Sequence, residues 1–316
     1  MKIKNLSQLA KFLDSKIKES KNILIVSHTN PDPDCLFSQL SLYYILKYRY
    51  PNKNFILFNK DYNYQKDNLK IINNDLRLIV NSLSCRKDDI DLIIGIEITN
   101  EERFGLIKDL IDYNKIIIID HHNSFSLKSC YYYLEANSES CSIIIFKLAN
   151  YFNFKKDLKF KINILSGIIG DTVGFRYIIN RKTFLILSQI FDEKIKVFFL
   201  IKQIFGFNFF ELKKITKLID QIKIYKKKKL LVIFLSKNNK FKKINSFLEY
   251  LRLIKEIEVI VLLKEKRGKI YGSLRSERVD VSQIAQKFNG GGHKNSAGFV
   301  SNLPVKKIIN FILKEI

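Results

Sequence analysis

The chain has four histidines, His28, His121, His122 and His293, each in a segment that also carries acidic residues or glycines. His28 lies in the run Ser27-His28-Thr29-Asn30-Pro31-Asp32-Pro33-Asp34. One imidazole and two carboxylates (Asp32, Asp34), in a loop stiffened by two prolines, suit a hard-to-borderline divalent ion such as Mn2+. Asp120-His121-His122 directly follows the apolar run 116–119, which places three strong ligand types at the end of a strand. Glu97 follows another apolar run, 92–96, with Asn100 and Arg103 just behind it. Asp171 sits in Gly170-Asp171-Thr172-Val173-Gly174-Phe175-Arg176. Singly, each is explained as well by a polar turn or a helix cap. Together they offer more carboxylates and imidazoles than one ion uses. Two ions roughly 3.5–4 Å apart, sharing a bridging carboxylate, fit that number. Such a pair clamps a phosphoryl group and activates a water for in-line displacement. No Ser-His-Asp or Cys-His pairing supports a covalent nucleophile.

A second constellation lies near the C-terminus. Gly272-Ser273-Leu274-Arg275-Ser276 leaves a strand, and Asn289-Gly290-Gly291-Gly292-His293 follows a helix. Consecutive glycines let backbone N–H groups approach an anion closely. Arg275, Ser276 and His293 add charge and donors. The expectation is a phosphate or nucleotide cradle built on Gly291 and Gly292, in a glycine-rich loop.

These residues need elements to position them. Apolar runs at 22–26, 55–58, 91–96 and 115–119 read as strands. Helical patterns at 34–48, 66–83, 103–112, 140–152 and 157–169 alternate with them. That alternation argues for an α/β domain, a mostly parallel sheet flanked by helices. Helices at 183–199 and 208–224 read as a connector. A second, smaller α/β unit follows: strands at 230–235, 258–263, 270–275 and 297–300, helices at 244–250 and 282–288, and a final helix. The domains are therefore expected at 1–188, 189–227 and 228–316.

Composition sets outer limits. With 316 residues and 47% hydrophobic content the chain can build two ordinary cores. No apolar run reaches the ~18–20 residues of a membrane helix. Residues 1–20 read as an amphipathic helix rather than a signal peptide, so a cytoplasmic protein with no membrane partner is expected. Four scattered cysteines read as incidental thiols. The formal charge of +24 comes from 45 Lys against 10 Arg. Phosphate-reading surfaces favour the Arg fork, so this basicity does not by itself specify a nucleic-acid partner. The run 226–229 reads as a solvated turn.

The segments HTNPDPD, DHH, GDTVGFR and GSLRS…GGGH, in this order, resemble the DHH/DHHA1 phosphoesterases. That family contains oligoribonucleases acting on nano-RNA, with 3′-phosphoadenosine-5′-phosphate (PAP) phosphatase activity, and cyclic di-AMP phosphodiesterases. The resemblance implies that His28, Asp32 and Glu97 hold one Mn2+, with Mg2+ or Co2+ as substitutes. Asp34, His121, Asp171 and the same Glu97 would hold the other. It places His122 beside the scissile phosphate, and Arg275, Gly291, Gly292 and His293 in the cradle of a DHHA1 domain, with substrate in an interdomain cleft. A homodimer follows by the same analogy. The family carries Asp where this chain has Glu97, which keeps the carboxylate but adds a methylene.

The expected activity is hydrolysis of short oligonucleotides to 5′-mononucleotides, with Asp120, His121 and His122 as the catalytic group and Arg103 among the substrate contacts. Cyclic di-adenylate and PAP are the alternative substrates. A nucleotide-binding protein weakened by Glu97 and a purely basic nucleic-acid binder are the alternatives from other classes.

Overall fold

Short runs rich in Ile, Leu and Val form strands when both sheet faces are to be covered. The first six strands are β1 (Asn22–Ser27), β2 (Asn54–Phe58), β3 (Ile79–Val80), β4 (Leu92–Ile96), β5 (Ile116–Asp120) and the tyrosine-rich β6 (Tyr131–Leu134). They make one parallel sheet in the order β3-β2-β1-β4-β5-β6. Ile25 on β1 lies opposite Leu57 of β2 on one side and Ile94 of β4 on the other. The chain therefore reverses its direction of growth between β1 and β4. Ligands of open α/β sheets bind beyond the carboxyl ends of the strands at such a switch point. The computed structural model describes the whole chain except residues 64–67, 123–124, 129, 178–179, 237–240 and 242.

Four helices accompany this sheet: α1 (Leu6–Glu19), α2 (Pro33–Arg49), α3 (Cys141–Tyr151) and α4 (Leu158–Asp171). The second packs on β1 and β2 and against both α3 and α4. Its residues from Asp34 to Leu42 are all buried, so it is a core helix rather than an amphipathic one. On one face of the sheet Leu24, Val26, Ile93, Ile116 and Ile118 pack with Phe104, Ile107, Ile111 and Leu127.

Three helical expectations are corrected, one of them the segment 183–199, which is broken between Ile190 and Val197. Segment 103–112 lies in the 3-10 stretch Glu101–Leu110, interrupted at Gly105, where φ is +60°. Segment 66–83 becomes two 3-10 turns, Asn68–Ile71 and Asn74–Leu78, followed by β3; its residues 66 and 67 lie outside the described residues. Asn73 N closes the first turn by donating to Leu69 O (3.3 Å), and its side chain accepts from Asp75 N, the local competition that disfavours Asn inside helices.

Three further helices follow: α5 (Arg181–Ile190), α6 (Val197–Phe205) and α7 (Phe209–Ile219). The chain divides into two compact units, Met1–Ile204 and Phe205–Ile316. The second holds β7 (Lys223–Tyr225), β8 (Leu230–Leu235), α8 (Ile244–Leu251), β9 (Val259–Lys266), β10 (Lys269–Ser276), α9 (Val281–Gln286), β11 (Gly291–His293), β12 (Ser296–Ser301) and α10 (Val305–Glu315). Its sheet runs β11-β12-β10-β9-β8-β7, with only β8 and β9 parallel. One face, with Val259, Val261 and Leu274, packs on α9 and α10; the other, with Ile260 and Leu262, packs on α8. The lysine run is an exposed 3-10 turn, Lys226–Lys228, ahead of β8. All four cysteines are unpaired, and no described helix is long and apolar enough to cross a membrane.

Candidate metal centre

Both strands at the switch point end in a candidate ligand. β1 runs into His28, and β4 runs into Glu97, whose φ of +57° turns the chain sharply out of the strand. Its backbone N–H donates to Ile119 O (3.0 Å), which ties the turn to β5. Asp120 ends β5, and Asp32 and Asp34 open α2, Asp32 as its N-cap, accepting from Cys35 N at 3.0 Å. Asp171 is the last residue of α4.

The side chains converge. His28 Nε2 stands 3.4 Å from Asp32 Oδ2 and 3.9 Å from Glu97 Oε2. His121 Nε2 stands 3.1 Å from Asp171 Oδ2. Asp34, Glu97, His121 and Asp171 each offer a ligand atom within 4.8 Å of the others, as do Glu97, His121 and His122. His28, Asp32 and Cys35 form a third such group. Burial pushes the Cys35 thiol well up.

The other nitrogen of each imidazole is fixed. His28 Nδ1 is 2.7 Å from Thr29 O, and His121 Nδ1 is 3.1 Å from Ser138 O. Asp120 Oδ1 accepts from His121 N (2.7 Å), His122 N (2.9 Å) and His122 Nδ1 (2.6 Å). Asp120 thus builds the turn that carries both histidines. Arg103 donates from Nη1 to Glu97 O (3.1 Å), and its own carbonyl accepts from Thr29 N (2.9 Å), so it laces the Glu97 turn to the His28 loop.

Like charge is crowded at this cluster, which could hold a cation. Burial, then the charges of Asp34, Asp32, Asp171 and Asp120, raise the Glu97 carboxyl well above its ordinary value. Burial and Asp34 push Asp171 up to about 8 against the pull of His121. Burial lowers His121, but Asp171, Asp34 and Asp120 more than reverse this, raising it to about 10. Glu97 Oε1 and Asp120 Oδ2 are buried with no hydrogen-bond partner. Native proteins rarely leave a buried carboxylate oxygen unsatisfied unless an ion or a reaction uses it.

Sequence reasoning misses the groups that brace this cluster. Buried Asn59 donates from Nδ2 to His28 O (2.9 Å) and Ser27 Oγ (2.8 Å). Buried Gln39 donates to Ile25 O (2.7 Å) and Phe58 O (3.1 Å), tying α2 to β1 and β2. Each follows no motif; a lone amide inside an otherwise apolar pattern is the signal that could have found them.

Behind Asp171, Val173, Gly174 and Phe175 all take positive φ, of 50°, 69° and 71°. A β-branched residue is strained there by roughly 1–2 kcal/mol. Val173→Gly is expected to raise the urea midpoint, through a gain of roughly 0.5–1 kcal/mol in unfolding free energy once glycine's extra unfolded-state freedom is counted. An unchanged or lower midpoint would show that the Val173 side chain packs better than its backbone suffers.

The second-unit candidates have other partners. Arg275 donates from Nε to Glu249 Oε1 (3.0 Å) and from Nη1 to Leu274 O (3.0 Å). Ser276 is buried, with its hydroxyl donating to Glu258 Oε1 (3.2 Å) and accepting from Val279 N (3.0 Å). The expected glycine loop is corrected: Gly291 and Gly292 are exposed but belong to β11, opposite Gly298 and Ala297 of β12. A Cβ at Gly290 or Gly292 would collide with the β12 backbone, so glycine there permits close strand packing. His293 is the last residue of β11.

Residues 22–169 match the DHH family, N-terminal domain, and residues 227–316 match the DHHA1 domain. The chain belongs to the DHH/DHHA1 family of phosphoesterases. This DHH/DHHA1 chain is 24% identical over 293 residues to a probable bifunctional oligoribonuclease and PAP phosphatase, NrnA, of Streptococcus mutans, covering 90% of this chain and 91% of that protein. An exopolyphosphatase-related protein from Bacteroides fragilis superposes with a TM-score of 0.80 at 21% identity, over 97% of this chain and 95% of that one. RecJ from Thermus thermophilus, solved in complex with Mn2+, gives a TM-score of 0.57 at 15% identity, over 98% of this chain and 54% of RecJ. At these identities the two superpositions establish the fold of the DHH/DHHA1 chain.

Proposed function

We propose that this protein is a Mn2+-dependent phosphodiesterase that hydrolyses short oligonucleotides to 5′-mononucleotides. The observation that carries the reading is Glu97. It is buried among four other carboxylates and three imidazoles at the sheet's switch point, with Oε1 unpartnered. The donor set is all oxygen and nitrogen, which fits Mn2+, with Mg2+ or Co2+ as substitutes. His28, Asp32 and Glu97 would hold one ion; Asp34, His121, Asp171 and Glu97 would hold the other. When bound, such a pair supplies a Lewis acid for the phosphoryl oxygens and a water of lowered pKa.

The chain's own residues do the remaining work. Asp120 accepts the Nδ1 proton of His122, which sets the neutral ring's tautomer and makes Nε2 an acceptor. Burial holds that ring below the ordinary histidine range, so it is neutral at physiological pH. His122 Nε2 is therefore suited to take a proton from the attacking water. Arg103 fixes the turn on which Glu97 sits, and so bears on the site through position. Arg275 and the β11 glycines are proposed to receive a terminal phosphate of the substrate; the salt bridge to Glu249 holds the Arg275 guanidinium in one orientation for that contact.

A second substrate, PAP, is favoured by one observation: the Streptococcus mutans relative is described as a PAP phosphatase as well as an oligoribonuclease. Turnover of pApA, cyclic di-AMP and PAP, each with Mn2+, separates these readings. The expected order has pApA first. Turnover of PAP or cyclic di-AMP alone would replace the substrate. Hydrolysis of pApA that survives Asp120→Ala and Asp171→Asn unchanged would end the proposal.

A further inference from the structure

Asp34 does two things at once. Its carboxylate is fully buried, in the ligand group with Glu97, His121 and Asp171. It also caps a different helix. The N-cap residue of α3, Ser140, makes no side-chain cap bond. Asp34 accepts in its place: Oδ2 from Cys141 N at 2.6 Å, Oδ1 from Ser142 N at 3.0 Å and from Ser142 Oγ at 2.5 Å. Ser38 Oγ lies 3.3 Å from Asp34 Oδ1 but 2.9 Å from Ser142 Oγ. The shorter contact assigns the Ser38 proton to Ser142, and the Ser142 proton to Asp34. Ser38, Ser142 and Asp34 are all fully buried.

This relay leaves a definite remainder. An ionised carboxylate has about four lone-pair sites. Three are filled, two on Oδ1 and one on Oδ2. We infer that Ser142 is the positioning residue of the second cation position, holding Asp34 so that Oδ2 alone is presented to the ion. This rests on the metal-dependent reading above. It makes the two positions unequal: the one built on His28 and Asp32 does not involve α3, whereas the one built on Asp34 and Asp171 is set by its first turn.

Ser142→Ala removes the hydroxyl and keeps both backbone donors. Partners one step outside a metal's ligands are typically worth about 10–100-fold in affinity. Mn2+ titration, followed by the electron-spin resonance of the unbound ion, should show two equivalents in the parent protein. In Ser142→Ala one equivalent should weaken by about 10–100-fold, with the other unchanged and the near-ultraviolet circular dichroism intact. Ser38→Ala, one step further back, should weaken the same equivalent less. Two equivalents of unchanged affinity in both variants would overturn the inference, as would equal weakening of both equivalents, which marks general loosening. If Ser142→Ala fails to fold, Ser38→Ala decides. A parent protein that binds no Mn2+ would instead overturn the metal-dependent reading itself.

Discussion

Glu97→Gln should bind Mn2+ more weakly by at least the ~10–100-fold that an outer partner contributes, lose hydrolysis with it, and yet melt higher than the parent once both are stripped of metal at pH 8. Glutamine has the shape of the protonated carboxyl, and its amide protons face Asp34, Asp32 and Asp171 instead of repelling them. The sign follows from the raised Glu97 carboxyl. A group raised in the folded state stabilises fully below its ordinary value, here 4.5, and that contribution is lost as pH climbs toward the folded value. Asp171, raised from 3.8 to about 8, acts in the same direction. The difference in melting temperature between variant and parent should therefore be near zero around pH 4.5 and widen toward pH 8. A variant that melts lower than the metal-free parent at pH 8 would mean that Glu97 is held by attraction rather than crowded by like charge.

Gly167→Ala carries the second large effect, against ordinary helix preference. At an exposed helix position alanine is better than glycine by about 1 kcal/mol. Gly167 instead lies buried in α4, where a Cβ would stand 2.5 Å from Asp34 Oδ1 and closer still to Ser142 Oγ. The absent methyl is what lets α4 lie against the Asp34–Ser142 pair. Overpacking of this kind costs about 1–3 kcal/mol, so the denaturant midpoint should fall. The displaced carboxylate should also lose Mn2+ affinity by more than Ser142→Ala does. A higher midpoint with normal Mn2+ binding would show that the helices have room to part.

Much of this candidate site can be read from sequence because its candidate ligands lie at the ends of elements. His28, Glu97 and Asp120 each close an apolar run of strand length, and Asp32 and Asp34 open a helix after proline. What sequence does not show is the bracing. Ser142, Ser38, Gly167, Asn59 and Gln39 act through contacts between segments far apart in the chain, and their types are common in helices and turns. The same limit explains the misplaced helices: Gly105 and Asn73 redirect local hydrogen bonds in segments whose apolar spacing suits a helix. It explains the glycine run too, since Gly291 and Gly292 have the composition of a loop but pair with β12. β6 goes unread because Tyr131, Tyr132 and Tyr133 carry no alternation; the strand is fixed by pairing with β5.

The central claim is that the switch point of the first unit holds a pair of divalent cations. Anomalous diffraction at the manganese edge, from crystals grown with Mn2+, tests it most directly. Two peaks roughly 3.5–4 Å apart are expected, with Glu97 touching both, His28 and Asp32 on one side and His121 and Asp171 on the other. Ordered crystals with no peak among these side chains would contradict it.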